Sequence, residues 1–369
     1  MAKEAPKAVV YHTENITLQA LEKEKKLYTP KDIVDYLDRN VIGQEKAKKT
    51  LAVAVYNHMR RINRKKNEQG IPKSNILMQG STGSGKTFLL NNLAAFLDVP
   101  IAICDASTIT QAGYKGKNLE SVLEELCYAA KGNIEMAEKG IIFLDEFDKL
   151  SMGKGGVSNK DGMEMGVAVQ RQILKMIEGC VMEVYISEIG KVKLNTENIL
   201  FICGGAFVGL KVDENATNDR QTIGFIADQV SRKANIQKRK LTHQDFVEYG
   251  LIPEVVGRLP VIVELSTLTE NDLTNILLNS EASVIKGYEN VLNEDGVELV
   301  FEEDAITEIA HIAHSKSTGA RGLNSIVEEI MEDIMFDIPS DPTIQRCIIT
   351  KQVVQGEGAP VIEREMENS

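Results

Sequence analysis

Residues 80–87 read "GSTGSGKT", and this octapeptide limits the possible folds of the chain more than any other stretch. It fits the Gly-x-x-x-x-Gly-Lys-Ser/Thr pattern of a phosphate-binding loop, follows an apolar run and precedes a helical pattern. In that context the loop N–H groups and the helix N-terminus surround phosphates. The pattern predicts that Lys86 reaches the β- and γ-phosphates of a nucleotide and that Thr87 binds Mg²⁺. The alternative is an ordinary glycine turn, and the strand–loop–helix context disfavours it.

Five short apolar runs alternate with helical segments over the first 265 residues. They read "NILMQ" (75–79), "VPIAICD" (99–105), "GIIFLDE" (140–146), "NILFICG" (198–204) and "LPVIVEL" (259–265). Continuous apolar strands separated by helices are typical of a parallel sheet that is buried on both faces. We therefore expect an α/β domain with a parallel five-stranded sheet.

The run "IIFLDEFDK" ends in acidic residues. In an open parallel sheet the carboxyl ends of the strands face the ligand crevice, so Asp145 and Glu146 should lie beside the phosphate-binding loop. Asp145 suits Mg²⁺, and Glu146 suits activation of a water molecule. Two surface acids at a strand end are the alternative. Together with the upstream loop, the pair indicates ATP hydrolysis rather than ATP binding alone.

Charge and composition exclude some classes of protein. The chain has 369 residues and a formal net charge of -12. Because the phosphate backbone repels an acidic protein, we expect no nucleic-acid partner. The basic run at residues 60–66 is by itself typical of a solvated helix end.

The cysteines and the N-terminus indicate a cytoplasmic protein without zinc. The five cysteines contain no Cys-x-x-Cys pair, which argues against a zinc site and suits a reducing compartment. The N-terminus has no apolar signal-peptide core, and the longest apolar run, "ILFICGGAFVGL", is too short and glycine-rich to span a bilayer.

Changes in pattern divide the chain into four parts. Residues 1–28 form a polar leader that we expect to be flexible. A helix should begin at Thr29-Pro30, where Thr is suited to the N-cap and Pro to the first turn, and the large domain should cover residues 29–265. Amphipathic helices and one strand, "RCIITKQVV", predict a smaller, mostly helical α+β domain over residues 266–355. Residues 356–369 are expected to be a flexible tail.

Seven blocks together resemble the ClpX family of AAA+ protein unfoldases. In order they are "VIGQEKAKKTLAVAVYNH", "GSTGSGKT", "AGYKGKNLE", "IIFLDEFDKL", "ILFICGGAF", "GLIPEVVGRLP" and "TGARGLNSIVEEIMEDIMFDIPS". The resemblance runs from about residue 29 to 355. The related HslU family shares several blocks, but the last block and the tripeptide "IGF" are closer to ClpX, and no large inserted domain is evident.

The resemblance implies roles for individual residues around ATP. Val41 and Ile42 would contact the adenine. Arg258 would be an arginine finger donated to the ATP of a neighbouring subunit, and Arg321 would touch the nucleotide of its own subunit. Read alone, each arginine is typical of a surface salt bridge. The family also implies a homohexameric ring. The expected nucleotide contacts beyond these are Gly80, Ser81, Thr82, Gly83, Ser84, Gly85, Lys86, Thr87 and Leu89.

The resemblance also implies protein partners. The segment "QAGYKGKNLE" (111–120) matches the loop that lines the ring channel, where Tyr114 would grip a protein substrate and Lys115 would add a positive charge. Ile223, Gly224 and Phe225 match the loop that docks on the ClpP peptidase. Without the family, this apolar tripeptide would be read as a buried anchor of a long loop.

Three departures from the family pattern bear on function. The four-cysteine zinc module that usually begins ClpX is not found in this sequence. The segment "VYISEIGKVKLN" (184–195) lacks the Arg-Lys-His triplet of the pore entrance, and the channel loop reads Gly-Tyr-Lys-Gly rather than Gly-Tyr-Val-Gly. Two other functions stay open at this stage: a remodeller of protein complexes that works without a peptidase, and a DNA-directed AAA+ motor. The acidic charge argues against the second.

Overall fold

A computed structural model describes residues 28–63, 72–109, 118–152, 160–187, 189–210 and 240–365, with side chains omitted for residues 160–163. Residues 1–27 of the expected leader, the channel-loop residues Tyr114 and Lys115, and the docking tripeptide 223–225 lie outside these ranges. In the described part of the chain, no helix has the length and apolar character needed to cross a membrane.

The large domain contains a five-stranded parallel sheet, as predicted. The strand order is β2-β3-β6-β1-β7, and neighbouring strands all run parallel. Strands β4 and β5 form a separate antiparallel hairpin. The seven strands described in this domain are β1 (Ile76–Gln79), β2 (Ile101–Asp105), β3 (Ile141–Asp145), β4 (Val181–Ile186), β5 (Gly190–Asn195), β6 (Leu200–Gly205) and β7 (Val261–Glu264).

Helices cover both faces of the sheet. The first begins where the sequence predicts, because Thr29 and Asp32 form a reciprocal capping box ahead of Pro30. The described helices of the large domain are α1 (Pro30–Leu37), α2 (Glu45–Ile62), α3 (Lys86–Leu97), α4 (Leu119–Ala129), α5 (Ile134–Ala137), α6 (Lys160–Glu178), α7 (His243–Tyr249) and α8 (Pro253–Gly257).

Alternate residues of each strand enter two different hydrophobic cores. Leu77 and Phe201 face the core formed with α4 and α6 to α8, whereas Ile76 and Phe143 face the core formed with α1 to α3. Successive side chains of a strand point to opposite faces, so a sheet with helices on both faces needs apolar residues at every position. This is why the five runs lack an alternating polar pattern.

The small domain has its own core, formed by residues 268–349. Its sheet is more extensive than predicted. The run "RCIITKQVV" divides into a strand and a short helix, and a parallel strand and an antiparallel strand pair with its first half. The described elements are α9 (Glu270–Asn279), α10 (Val284–Glu294), β8 (Glu298–Phe301), α11 (Glu303–Ser315), α12 (Ala320–Asp337), β9 (Ile344–Ile349), α13 (Lys351–Val354) and β10 (Val361–Arg364).

Strand β10 corrects the prediction of a flexible tail over residues 356–369. Residues 361–364 pair with β9, and Glu365 N donates to Thr343 O at 2.8 Å. The strand reads Val-Ile-Glu-Arg and is mostly exposed, which suits an edge strand with only one paired side. The small-domain fold therefore continues to at least Glu365.

Candidate nucleotide site

A cavity of about 550 Å³ lies between the two domains at the carboxyl edge of the central sheet. A volume in this range accommodates a cofactor-sized ligand. The large domain supplies Asn40, Val41, Ile42, Gln44, Thr82, Gly83, Ser84, Gly85, Lys86, Thr87, Phe88, Asn91, Asp145, Glu146, Asp148, Lys149, Ala206 and Val208 to its wall. The small domain supplies Leu268, Ile276, Ser280, Ala282, Ala320, Arg321 and Asn324.

The phosphate-binding loop leads from β1 into the first turn of α3. The loop turns sharply at Gly83 (φ +78°) and Gly85 (φ +93°), where backbone in the left-handed region favours glycine. A Cβ on Gly85 would meet nothing within 4 Å, so this position faces open space. Ser84 is 4% exposed, and among the described residues its Oγ has no hydrogen-bond partner. An open loop with an unpaired buried hydroxyl fits an anionic ligand.

Lys86 is buried at the start of α3 with its ammonium group turned back over the loop. Its Nζ donates to Gly80 O at 2.7 Å and to Ser81 O at 3.3 Å. Burial lowers the pKa of Lys86, while Asp145 and then Asp148 oppose this shift. The charge is therefore costly in the buried loop, and an anionic phosphate in the cavity would stabilise it further.

Asp145 and Glu146 leave β3 toward the same cavity. Thr87 Oγ1 and Asp145 Oδ2 lie 3.5 Å apart, and Glu146 N donates to Asp145 Oδ1 at 2.9 Å. A hydroxyl beside a carboxylate is the hard oxygen donor set that Mg²⁺ prefers. Glu146 itself has φ +53° and ψ +30°, a left-handed conformation that is uncommon for a residue with a side chain. The turn therefore holds the Glu146 carboxylate at the cavity wall.

The carboxylate of Asp148 occupies the space in which a side chain at the end of β6 would lie. Its Oδ2 accepts from Phe207 N at 3.2 Å, and a Cβ on Gly205 would lie 2.5 Å from its Oδ1. A Cβ on Gly204 would lie 2.5 Å from the ring of Phe143. Side chains at these two glycines would collide with their neighbours, so the carboxylate of Asp148 and not a residue of β6 contributes polar atoms here.

The turn between α1 and α2 carries Val41 and Ile42 to the cavity. The side chain of Lys48 is only 2% exposed and contacts the buried side of this turn. Its Nζ donates to Val41 O at 3.1 Å and pairs with the carboxylates of Asp38 and, at 3.0 Å, Glu45. The buried ammonium group thus ties both sides of the turn together, which keeps the two apolar side chains at the wall.

Gln44 connects this turn to the domain junction. Its amide exchanges two hydrogen bonds with Ser266, donating to the carbonyl and accepting from the N–H, both at 2.8 Å. The same Nε2 lies 3.4 Å from Ser84 O. Gln44 is 7% exposed and has φ +61°. One side chain therefore contacts the phosphate-binding loop and the segment that leads into the small domain.

The small domain contacts the phosphate-binding loop directly. Ala320 N, at the start of α12, donates to Gly83 O at 3.1 Å. Gly319 (φ +60°) and Gly83 face each other so closely that a Cβ on Gly83 would collide with Thr318 O. The next residue, Arg321, lies at the cavity wall and lowers the pKa of Lys86.

Among the predicted site residues that the structure describes, four lie outside the cavity. Gly80 and Ser81 contact the site through the carbonyls that hold Lys86. Leu89 is fully buried in the core under α3, because the side chains of that helix face point away from the loop. Arg258 follows α8, and its Nε and Nη2 donate to Glu178 Oε1 at 2.9 and 2.8 Å.

Sequence reasoning missed Gln44 and Asp148. The block "VIGQ" contains a glycine followed by glutamine at a helix start, and "LDEFD" contains a third acid, so both motifs were visible. Their partners Ser266 and Phe207 are 222 and 59 residues away. Only the folded chain shows those contacts.

Comparisons with known proteins cover both domains. Residues 71–262 match the AAA domain (Cdc48 subfamily), and residues 268–351 match the C-terminal, D2-small domain of ClpB protein. The ATP-dependent Clp protease ATP-binding subunits ClpX of Borrelia duttonii and Borrelia recurrentis are each 45% identical over 338 residues, covering 89% of this chain and 79% of theirs. The subunit of that name from Treponema denticola is 44% identical over 350 residues, covering 92% and 84%.

Proposed function

This chain belongs to the ClpX family of AAA+ ATPases, the ATP-binding subunits of Clp protease, and we propose that it unfolds proteins and threads them through a hexameric ring. The observation that carries the proposal is the cavity between the domains, where the phosphate-binding loop, the acids after β3 and Arg321 meet. A ligand in that position touches both domains, so a change in the ligand alters the contacts between them.

ATP would lie with its adenine against Val41 and Ile42 and its phosphates along residues 80–87. Lys86 would supply the positive charge for the β- and γ-phosphates. Arg321 would pair with the phosphates from the small-domain side, since guanidinium groups bind phosphate oxygens well. The apolar slot, the buried ammonium group and the open loop support this orientation.

Thr87 and Asp145 would hold Mg²⁺, which shields phosphate charge during hydrolysis when it is bound. Glu146 would orient the attacking water and accept its proton, because its carboxylate belongs to the turn at the cavity wall. The left-handed backbone at Glu146 supports this role, since strained residues concentrate at catalytic sites.

Arg258 would act on the ATP of a neighbouring subunit. It lies outside the cavity of its own chain, and its side chain is 58% exposed although it pairs with Glu178. An exposed arginine remote from its own site can reach a phosphate only across a head-to-tail interface, which closes into a ring. A homohexamer is the family assembly that this arrangement supports.

Protein substrates would be gripped by Tyr114, whose aromatic ring packs against a chain of any sequence. Lys115 would add a ring of cations to the channel and bias it toward acidic segments. Ile223, Gly224 and Phe225 would dock on a ClpP-type peptidase as an apolar anchor. Remodelling of protein complexes without a peptidase remains the second candidate, since it uses the same ATPase residues.

The test is whether the assembled ATPase unfolds a stable tagged protein. Unfolding is measured as the loss of the substrate's native fluorescence. Glu146→Gln should still bind ATP and assemble, but its ATP turnover should fall by about 100-fold or more and unfolding should cease. Glu328→Gln, on the exposed face of α12, is the matched control and should behave as wild type.

Addition of a ClpP-type peptidase separates the two candidate functions. Degradation that requires ATP and is lost in Phe225→Ala supports threading into the peptidase. If wild type and Phe225→Ala both unfold the substrate and neither binds the peptidase, the function is remodelling of protein complexes without a peptidase. Normal ATP turnover by Glu146→Gln would contradict the assignment of Glu146, and stimulation of the ATPase by DNA but not by unfolded protein would contradict both.

A further inference from the structure

Gln170, in the middle of α6, is completely buried and uses both ends of its side-chain amide. Its Nε2 donates to Leu150 O at 2.7 Å, and its Oε1 accepts from Ile252 N at 2.9 Å. The amide has only one satisfactory orientation, because one neighbour supplies an acceptor and the other a donor. A buried amide satisfied in this way fixes the relative position of its two partners.

The two partners belong to segments with different proposed roles. Leu150 ends the short 3₁₀ turn Phe147–Leu150, which begins directly after Glu146. Ile252 is the N-cap of α8, and Arg258 is its C-cap. Gln170 therefore lies between the turn that carries the proposed catalytic carboxylate and the helix that carries the proposed arginine finger.

Close backbone packing supports the same connection. A Cβ on Gly166, one turn before Gln170, would lie 2.7 Å from Leu150 O, so α6 rests directly on the end of the turn. Beyond the turn, Met152 N donates to Gly250 O at 3.0 Å. Gly250 has φ +123°, and a Cβ there would collide with Met152 O. These contacts leave little room for the two segments to move independently.

Helix α6 also contacts the far end of α8. Its last residue, Glu178, pairs with Arg258 through two hydrogen bonds to one carboxylate oxygen. Eight residues separate Gln170 from Glu178, which is about 12 Å along a helix. The same rigid element therefore holds the N-cap of α8 by Gln170 and its C-cap by Glu178.

We propose that Gln170 is a positioning residue that couples the Glu146 turn to Arg258 of the same chain. The nucleotide state of one ATP site would then determine the position of the arginine that reaches the ATP site of the neighbouring subunit. This inference rests on the proposed function, because it needs Arg258 to act in trans. A movement of Leu150 on hydrolysis displaces α6 and α8 together, since Gln170 bonds to both sides. Coupling between two residues is an interaction free energy, which a double-mutant cycle measures.

The experiment compares ATP turnover of the full-length assembled protein in four variants: wild type, Gln170→Met, Arg258→Lys and the double variant. Methionine keeps the volume of glutamine but removes both hydrogen bonds. Lysine keeps a cation but loses the forked geometry of arginine, so its activity is reduced and still measurable. We expect Gln170→Met to lower kcat about tenfold with little change in KM for ATP, because a small displacement of a group that acts in the transition state has effects of this size.

The coupling predicts that Gln170→Met has less than about a twofold effect on kcat in the Arg258→Lys background. An equal loss of kcat in both backgrounds would overturn the proposal, since Gln170 would then act without Arg258. If Arg258→Lys and Arg258→Ala both have wild-type kcat, it is instead the role of Arg258 that fails. The two failures are therefore distinguishable.

Two controls separate positioning from folding. Gln244→Met changes an exposed glutamine of α7 and should leave kcat and assembly unchanged. The melting temperature should fall equally for Gln170→Met in both Arg258 backgrounds, because the buried bonds are lost in each. Should Gln170→Met fail to assemble, Gln170→Asn retains the amide on a shorter side chain, and the same cycle with Asn decides the question.

Discussion

Lys86 and Lys73 lie at opposite ends of β1, and each donates its ammonium protons to two backbone carbonyls. Lys86 follows the strand and holds Gly80 O and Ser81 O. Lys73 precedes the strand, holds Ile177 O at 2.9 Å and Thr196 O at 3.2 Å, and lies 4.8 Å from the ring centroid of Phe201. By residue type and local bonding the two lysines are alike.

Their surroundings differ. Burial lowers the pKa of both lysines, and that of Lys73 falls to about 7. The next contribution is a cation, Arg61, for Lys73 and a carboxylate, Asp145, for Lys86. Lys86 also faces the cavity, whose wall does not include Lys73. Open space and opposite charge, rather than burial, thus distinguish the lysine at the cavity wall from the one that joins backbone segments.

The largest expected effect comes from removing the ammonium group at each end in turn. Lys86→Met should weaken ATP binding and lower ATP turnover by about 100-fold or more, because a preorganised cation for the phosphates is lost. Lys73→Met should change ATP affinity by less than about threefold and should instead lower the melting temperature, since two carbonyls lose a buried donor. Calorimetric titration with ATP and thermal melting measure both quantities.

Equal losses of ATP affinity in the two variants would contradict this distinction between Lys86 and Lys73. Such a result would mean that the amino edge of the sheet supports the nucleotide site as strongly as the cavity wall does.

A second pair of variants tests the contact between the phosphate-binding loop and the small domain at the carboxyl edge. Gly83 and Gly85 both have positive φ, so alanine strains the backbone at either position. Only Gly83 contacts the small domain. Without nucleotide, Gly83→Ala should therefore be less stable than Gly85→Ala by about 1–3 kcal/mol, the usual cost of overpacking. Denaturant unfolding of the two variants measures the difference, and equal stability would show that the domain contact yields without cost.

The last comparison concerns pH at the amino edge. The pKa of Lys73 is about 7 in the folded chain, below its ordinary value of 10.5. Between these values the unfolded chain holds a proton that the folded chain does not, so raising the pH favours folding. The melting temperature of wild type relative to Lys73→Met should rise from pH 7 to pH 10. A constant difference over this range would show that Lys73 stays protonated in its site.

Local patterns were sufficient to predict several elements around the cavity. The loop at residues 80–87, the five strands and the N-cap at Thr29 depend on residues within a few positions of one another, and the structure contains all three. Contacts between distant segments were not predicted. Strand β10 pairs with β9 although it has only four residues and lies in a mostly polar stretch, because an edge strand needs only one partner.

The contact between Ala320 N and Gly83 O illustrates a second limit. Backbone atoms form it, and every residue except proline carries the same donor and acceptor. Residue types therefore reveal only the glycines that make the approach possible. The pairing of Gly83 with Gly319 follows from the fold of two domains and not from either motif.

The left-handed backbone of Glu146 bears on how this chain balances two demands. A residue with a side chain loses roughly 1–2 kcal/mol in that conformation, a loss that glycine avoids. Selection for folding stability alone would favour glycine after Asp145, yet the position carries a carboxylate. Laboratory evolution toward heat resistance, without a requirement for activity, should therefore replace Glu146 by glycine early.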